Sequence, residues 1–227
     1  MVKKVHDVIF FNNSFIKRNK CKIDAMSPSA QFGINVFEGI RGYFNKSRYI
    51  FRLYDHLDRL SRSLDEINIK FNLDYVHISE TIKKLLDING CKTNFSIRII
   101  IYLGLDGTWS DIEKGQILIA GVDNFDPPKN PININSAAIS KFNRISNNQM
   151  PAFIKSGANY LNSRYALLEV QKRGFQEAIL LNESQNISET PGANIFFVVK
   201  NKLITPSTDQ SILDGITRDT IIKIAKK

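Results

Sequence analysis

Cysteine is scarce in this chain. Only Cys21 and Cys91 occur among 227 residues, far apart and in no metal-ligand spacing. Neither a disulfide framework nor a thiolate metal motif is read from them, and they are expected to be small buried or half-buried thiols, with no metal assigned. Long apolar runs are also missing. The basic start Met1-Val2-Lys3-Lys4 leads into no apolar stretch, so no signal peptide is read, and no segment approaches the length of a membrane span. The expectation is a soluble cytoplasmic protein with no membrane partner. Internal repeats and low-complexity tracts are absent too. Acidic residues are outnumbered, 22 against 31 basic ones, for a net charge of +9. The basic residues are scattered and interleaved with acids, in a chain rich in Ile, Asn and Lys of the kind AT-rich coding produces. Nucleic acid is therefore not the expected partner, whereas anionic small molecules are attracted by the charge.

What is present is ordinary for a globular protein: 43% hydrophobic and 23% charged residues. The length allows one large domain or two smaller ones, with a core that needs neither disulfides nor metals. Val8–Phe11, Ser14–Ile16, Val36–Tyr43 and Arg48–Phe51 read as strands. Leu53, Leu57, Leu60, Leu64 and Ile67 recur at spacings of four and three and form the apolar stripe of a helix. A second helix is expected over Ser79–Asn89, stopped by Gly90. Phe95, Ile97, Ile99 and Ile101 alternate with Ser96, Arg98, Ile100 and Tyr102, so Phe95–Tyr102 is a strand with one apolar face. Ile117–Ala120 is another. The pattern breaks over Asp123–Asn133, where Pro127, Pro128 and Pro131 mark an interdomain loop. Beyond it the expectations are a strand near Ile134–Ser140, a helix over Tyr160–Arg173, a strand over Glu177–Leu181 and a turn at Asn182–Asn186. A buried strand at Asn194–Val199 and a last helix opened by Gly215 complete the reading.

Three places carry potential chemistry. Gly215-Ile216-Thr217-Arg218 is a loop-to-helix start whose N–H groups and positive dipole end suit a phosphate, although many ordinary helices begin after glycine. Lys155 lies between the apolar pair Phe153-Ile154 and the small residues Ser156-Gly157-Ala158, just ahead of a helix. Partial desolvation there would lower its pKa and free the amine as a nucleophile, whereas a lysine taken alone is a solvated surface charge. Glu189 sits at a strand-to-loop transition, where a solvated acid or a cap is the simpler role.

Taken together, several stretches resemble the class IV, or fold-type IV, pyridoxal-phosphate aminotransferases of the branched-chain amino-acid type. Phe32-Gly33 followed by Val36-Phe37-Glu38-Gly39-Ile40-Arg41 resembles the N-terminal signature. Phe51–Leu60 resembles the segment carrying the phosphate-binding arginine, and Lys155–Tyr160 the Schiff-base lysine segment. Ser188–Phe196 resembles the segment whose glutamate meets the pyridine nitrogen, and Leu213–Arg218 the phosphate cup. The motifs occur in the family's order and span nearly the whole chain.

The resemblance implies an α/β (α+β) fold of two domains. Residues 1–122 would form a small N-terminal α/β domain, 123–133 the interdomain loop and 134–227 a larger strand-rich, barrel-like domain, with the cofactor between the two. It implies pyridoxal 5'-phosphate as cofactor and transamination of Leu, Ile and Val with 2-oxoglutarate or glutamate. Lys155 would form the internal aldimine and move the proton. Glu189 would keep the pyridine nitrogen protonated and so make the ring an electron sink. Tyr160 would donate toward the phenolate oxygen, Arg59 would pair with the phosphate, Ile216 and Thr217 would supply further donors, and Leu213 would pack on the ring. Phe32, Phe37, Gly39 and Arg98 match substrate-pocket positions, with Arg98 holding the distal carboxylate of glutamate. A homodimer or higher homo-oligomer is implied. D-amino-acid transamination and aminodeoxychorismate lyase chemistry are the alternatives on the same cofactor. The chain ends at Lys226-Lys227, just after the last recognisable helix, so a C-terminally truncated member with an incomplete large domain is expected. Such a chain is either an active enzyme or an inactive remnant.

Overall fold

The computed structural model describes residues 4–110, 112, 114–123 and 134–227. Residues 124–133 of the expected interdomain loop lie outside the described residues. The chain divides into two compact units: Met1–Pro131 with Ser156–Ala158, and Ile132–Lys155 with Asn159–Lys227.

The first unit is a seven-stranded antiparallel sheet with helices on one face. Its strands are β1 (Lys4–Val5), β2 (Val8–Phe11), β3 (Ser14–Lys17), β4 (Asn35–Asn45), β5 (Ser47–Ile50), β6 (Phe95–Tyr102) and β7 (Gln116–Asp123). They run in the order β3-β2-β7-β6-β4-β5, with β1 paired to β7. The alternation read in β6 is the alternation observed: Phe95, Ile97, Ile99 and Ile101 are fully buried, while Arg98 is exposed. The register of β4 on β6 pairs Glu38 with Ile99, Gly39 with Arg98 and Ile40 with Ile97. Glu38 and Ile40 therefore face the core, and Phe37 and Gly39 the opposite side.

The helices of this unit are α1 (Pro28–Phe32), α2 (Leu53–Glu66) and α3 (Tyr75–Ile88). α2 buries the expected stripe, with Leu57, Leu60 and Leu64 at 3% exposure or less. Each such side chain contributes roughly 1.5–3 kcal/mol on burial. α3 begins four residues before the expected Ser79, because the Asp74 carboxylate accepts the His77 N–H (3.0 Å) and caps the helix there. Cys91 is buried near the end of β7. There the Asp123 Oδ1 atom accepts from His6 Nε2 (2.9 Å), Thr93 Oγ1 (3.1 Å) and Cys91 Sγ (3.6 Å). The convergence point is itself a carboxylate oxygen, so this is a hydrogen-bonded clasp tying three segments together. Burial pushes the Cys91 thiol up, which keeps it protonated and inert.

The second unit contains β8 (Ala137–Ile139) parallel to β9 (Glu177–Ile179), and α4 (Asn159–Lys172) packed on them through Ala166, Val170, Ala178 and Leu180. β10 (Phe197–Val199) and β11 (Lys202–Ile204) form a hairpin. Its two-residue loop, Lys200-Asn201, has positive φ at both positions, as such hairpins require. α5 (Ile216–Ala225) follows. The expected buried strand at Asn194–Val199 is corrected here. The strand is shorter, and Val198 and Val199 are 75% and 47% exposed. β10 pairs with β11, whose three residues are all exposed, so among the described residues no second layer covers it. No helix among the described residues is long and apolar enough to cross a membrane.

Candidate active site

Glu189 is the centre of a buried hydrogen-bond network in the second unit. The hairpin from Leu180 to Glu189 turns at Asn182–Asn186, and its stem closes through Leu180 N–H to Glu189 O (2.9 Å) and Ser188 N–H to Leu180 O (2.9 Å). This ladder fixes the backbone at Glu189 and turns its side chain into the unit, where the residue is 5% exposed. Oε1 accepts from Arg144 Nε (2.8 Å). Oε2 accepts from Asn194 Nδ2 and from the Leu213 N–H, both at 3.1 Å. Burial raises the Glu189 carboxyl above its ordinary value, against the opposing pull of Arg144, the Leu213 N–H and Lys155.

Asn194 links this carboxylate to the helix start. Its Nδ2 also donates to the Leu213 carbonyl (2.9 Å), and its Oδ1 lies where a Cβ on Gly215 would come within 1.8 Å. A glycine is therefore required at 215 by close approach, its φ of −77° being open to any residue. Gly215 is the N-cap of α5 without a side-chain cap, Ile216 is buried in the first turn and Thr217 is exposed. Lys155 is half-buried, and its Nζ donates to Tyr160 Oη at 2.6 Å, also lying 5.1 Å from the ring centroid. The structure thus gathers Tyr160 with Lys155, and Leu213 with Glu189 just ahead of α5.

The remaining sequence-derived residues belong to the first unit. Arg98, on β6, lies over the Phe37 ring at 4.9 Å. Gly39 stands directly opposite Arg98, and a Cβ there would already touch the guanidinium at 3.7 Å. Phe37, Gly39 and Arg98 are thus one cluster on the face away from the helices. Phe32 is not part of that stack; it is 46% exposed at the end of α1. Arg59, on α2, is 5% exposed. Its Nε and Nη2 donate to the two oxygens of Glu38 at 2.7 and 2.8 Å. His56 Nδ1 lies 2.7 Å from Glu38 Oε2 and, facing a carboxylate, carries the hydrogen.

Four residues of these networks had no role in the sequence reading. Glu38, His56 and Asn194 lay inside the quoted motifs, so their positions were visible but not their partners. Arg144 had no local signal to separate it from the other basic residues.

A family profile described as amino-transferase class IV matches residues 35–227. The branched-chain-amino-acid aminotransferase of Escherichia coli K12 is 31% identical over 246 aligned residues, covering 100% of this chain and 75% of that protein. The chain belongs to the class IV aminotransferases. Among solved structures, the branched-chain aminotransferase of Thermoproteus uzoniensis with norvaline matches with a TM-score of 0.91 at 32% identity, over 97% of this chain and 75% of that one. A T.th. branched-chain amino acid aminotransferase complexed with N-(5'-phosphopyridoxyl)-L-glutamate matches with a TM-score of 0.87 at 29% identity, over 97% of this chain and 73% of that one. As a class IV aminotransferase, the chain has the α/β fold expected from its motifs.

Proposed function

We propose that this class IV aminotransferase uses pyridoxal 5'-phosphate to move amino groups between branched-chain L-amino acids and 2-oxoglutarate. The observation that carries the proposal is the buried Glu189 carboxylate in the same unit as the Lys155–Tyr160 pair and the N-terminus of α5. That donor set fits the cofactor: an amine for its aldehyde, a hydroxyl for its phenolate, a carboxylate for its ring nitrogen and a helix N-terminus for its phosphate. The substrate class is supported by the names of the relatives, which are branched-chain aminotransferases.

When bound, the cofactor supplies an electron sink for the bond-breaking at the substrate Cα. Lys155 is assigned the covalent attachment and, once released, the transfer of the proton between the substrate Cα and the cofactor C4′. Tyr160, already hydrogen-bonded to the Lys155 amine, holds that amine in place and donates toward the phenolate oxygen. Glu189 holds the proton on the ring nitrogen. Leu213 positions its own N–H on Glu189 and packs against the ring. Ile216 and Thr217 are assigned to the phosphate, as is Arg59 in the first unit, where Glu38 orients the guanidinium. Phe32, Phe37, Gly39 and Arg98 are assigned to the substrate side chain, with Arg98 reading the distal carboxylate of glutamate. A homodimer or higher homo-oligomer belongs to the same proposal and is checked by analytical ultracentrifugation.

The experiment is borohydride reduction of the protein with pyridoxal phosphate, followed by peptide mapping. The cofactor is expected on Lys155, with a new absorbance band in the near-ultraviolet to visible range before reduction. A label on another lysine overturns the site. Absence of both band and label overturns the cofactor assignment and favours an inactive remnant. Conversion of the bound cofactor by leucine and by glutamate, but not by D-alanine, is the expected substrate pattern.

A further inference from the structure

We infer that Arg144 is a positioning residue that keeps Glu189 an ionised carboxylate, so that the proton shared with the cofactor lies on the ring nitrogen. The inference rests on the proposed cofactor role of Glu189 and deepens it.

Arg144 and Glu189 are both buried, at 7% and 5% exposure. A carboxyl so far from water takes up a proton unless a charged partner meets it. Among the described residues three groups donate to Glu189, and two of them, Asn194 Nδ2 and the Leu213 N–H, are neutral. Neutral donors can also bond the carbonyl oxygen of a protonated carboxyl. Arg144 is the charged donor in contact, and its bond to Oε1 is strong only while that carboxyl is ionised. An ionised carboxylate accepts at about four lone-pair positions. The three protein donors therefore leave room for the ring N–H.

Arg144 is itself held at both ends. Its backbone N–H donates to Leu181 O (2.8 Å), on the same hairpin that presents Glu189. Its Nη1 reaches Asn162 Oδ1 (3.4 Å), and Asn162 is fixed in turn by donating to Asn143 O (2.9 Å). The guanidinium and the carboxylate are thus referenced to one backbone hairpin. The opposition between burial and Arg144 in setting the Glu189 carboxyl agrees with this geometry. Without the arginine charge, the rise that burial already imposes on Glu189 grows, the proton moves to Glu189 and the neutral ring is a poorer electron sink.

The test uses the whole protein loaded with pyridoxal phosphate labelled with 15N at the ring nitrogen. In the parent, the 15N shift is expected to be that of a protonated ring. In Arg144→Gln it is expected to move toward the neutral-pyridine value, with the leucine half-reaction slowed about ten- to hundredfold. Arg144→Lys, which retains the charge, is expected to restore much of the protonated signal. A purely structural role would lower stability without moving the nitrogen shift. An unchanged shift in folded Arg144→Gln overturns the inference. Should that variant not fold, the 13C carboxyl shift of Glu189 in the loaded parent decides. An ionised carboxylate at neutral pH is expected, and a protonated carboxyl overturns the inference. A parent that shows no bound-cofactor signal defeats the proposed function, and this inference with it.

Discussion

At Gly39 the Arg98 guanidinium lies across β4 and against the Phe37 ring, at ordinary contact distance from where a Cβ would stand. Exposed cation–π contacts of this kind contribute only about 0.5–1 kcal/mol. They orient a charge without consuming it, which suits the proposed dual recognition of a branched aliphatic side chain and a carboxylate. Arg98→Ala is therefore expected to slow the glutamate half-reaction far more than the leucine half-reaction. Loss of one charge-assisted hydrogen bond costs about 1.5–3 kcal/mol, or one to two orders of magnitude. Single-turnover spectroscopy with each amino acid measures this directly. Equal losses would make Arg98 structural and remove the main support for glutamate as the amino donor.

The start of α5 depends on one residue that contributes nothing but space. Gly215→Ala places a methyl group on Asn194 Oδ1, and the Asn194 amide is locked by its bonds to Glu189 and to Leu213 O. Relief requires the amide to turn, which removes a donor from a buried carboxylate. The expected result is weaker cofactor binding by about 1.5–3 kcal/mol, with little change in helix content, because Gly215 is the N-cap and its replacement touches only the first turn. Fluorescence titration with pyridoxal phosphate and circular dichroism separate the two effects. An unaltered affinity would mean that the Asn194 link does not matter to the site.

For the molecule as a whole, Glu38 joins β4 to α2 inside the first unit. Burial alone would raise its carboxyl, but the hydrogen bonds from His56 and Arg59 hold it below the ordinary value of 4.5. A depressed folded-state value contributes stability that is fully present above the unfolded value and is lost as pH falls through the folded one. Glu38→Gln leaves the Arg59 charge buried without its counter-carboxylate, at a cost on the order of 3–5 kcal/mol. The expected signature is faster hydrogen exchange across β6 and α2 at neutral pH. The gap to the parent should narrow as the pH falls below the ordinary carboxylate value and close below the depressed folded value, where the parent carboxyl is itself protonated. A gap that persists unchanged into acid would mean that the pair contributes packing and not charge.

Local periodicity determined much of this protein. The stripe of α2 and the alternation of β6 are written in neighbouring residues, because a helix and a strand each repeat within a few positions. The early start of α3 was missed, although the capping side chain of Asp74 is a local signal for it. The residues named for the site came from the resemblance of ordered motifs, whose chemistry demands those residue types. Partners separated along the chain were not legible. Glu38 and Arg59 lie 21 residues apart, and Arg144 and Glu189 lie 45 apart. Nothing local marks Arg144 as buried, and nothing local shows that the apolar Val198 and Val199 stay exposed. Hydrophobicity records what a residue favours, whereas burial depends on which distant segment reaches it. The tertiary structure alone decided which charges lost water and which neighbour had to compensate for it.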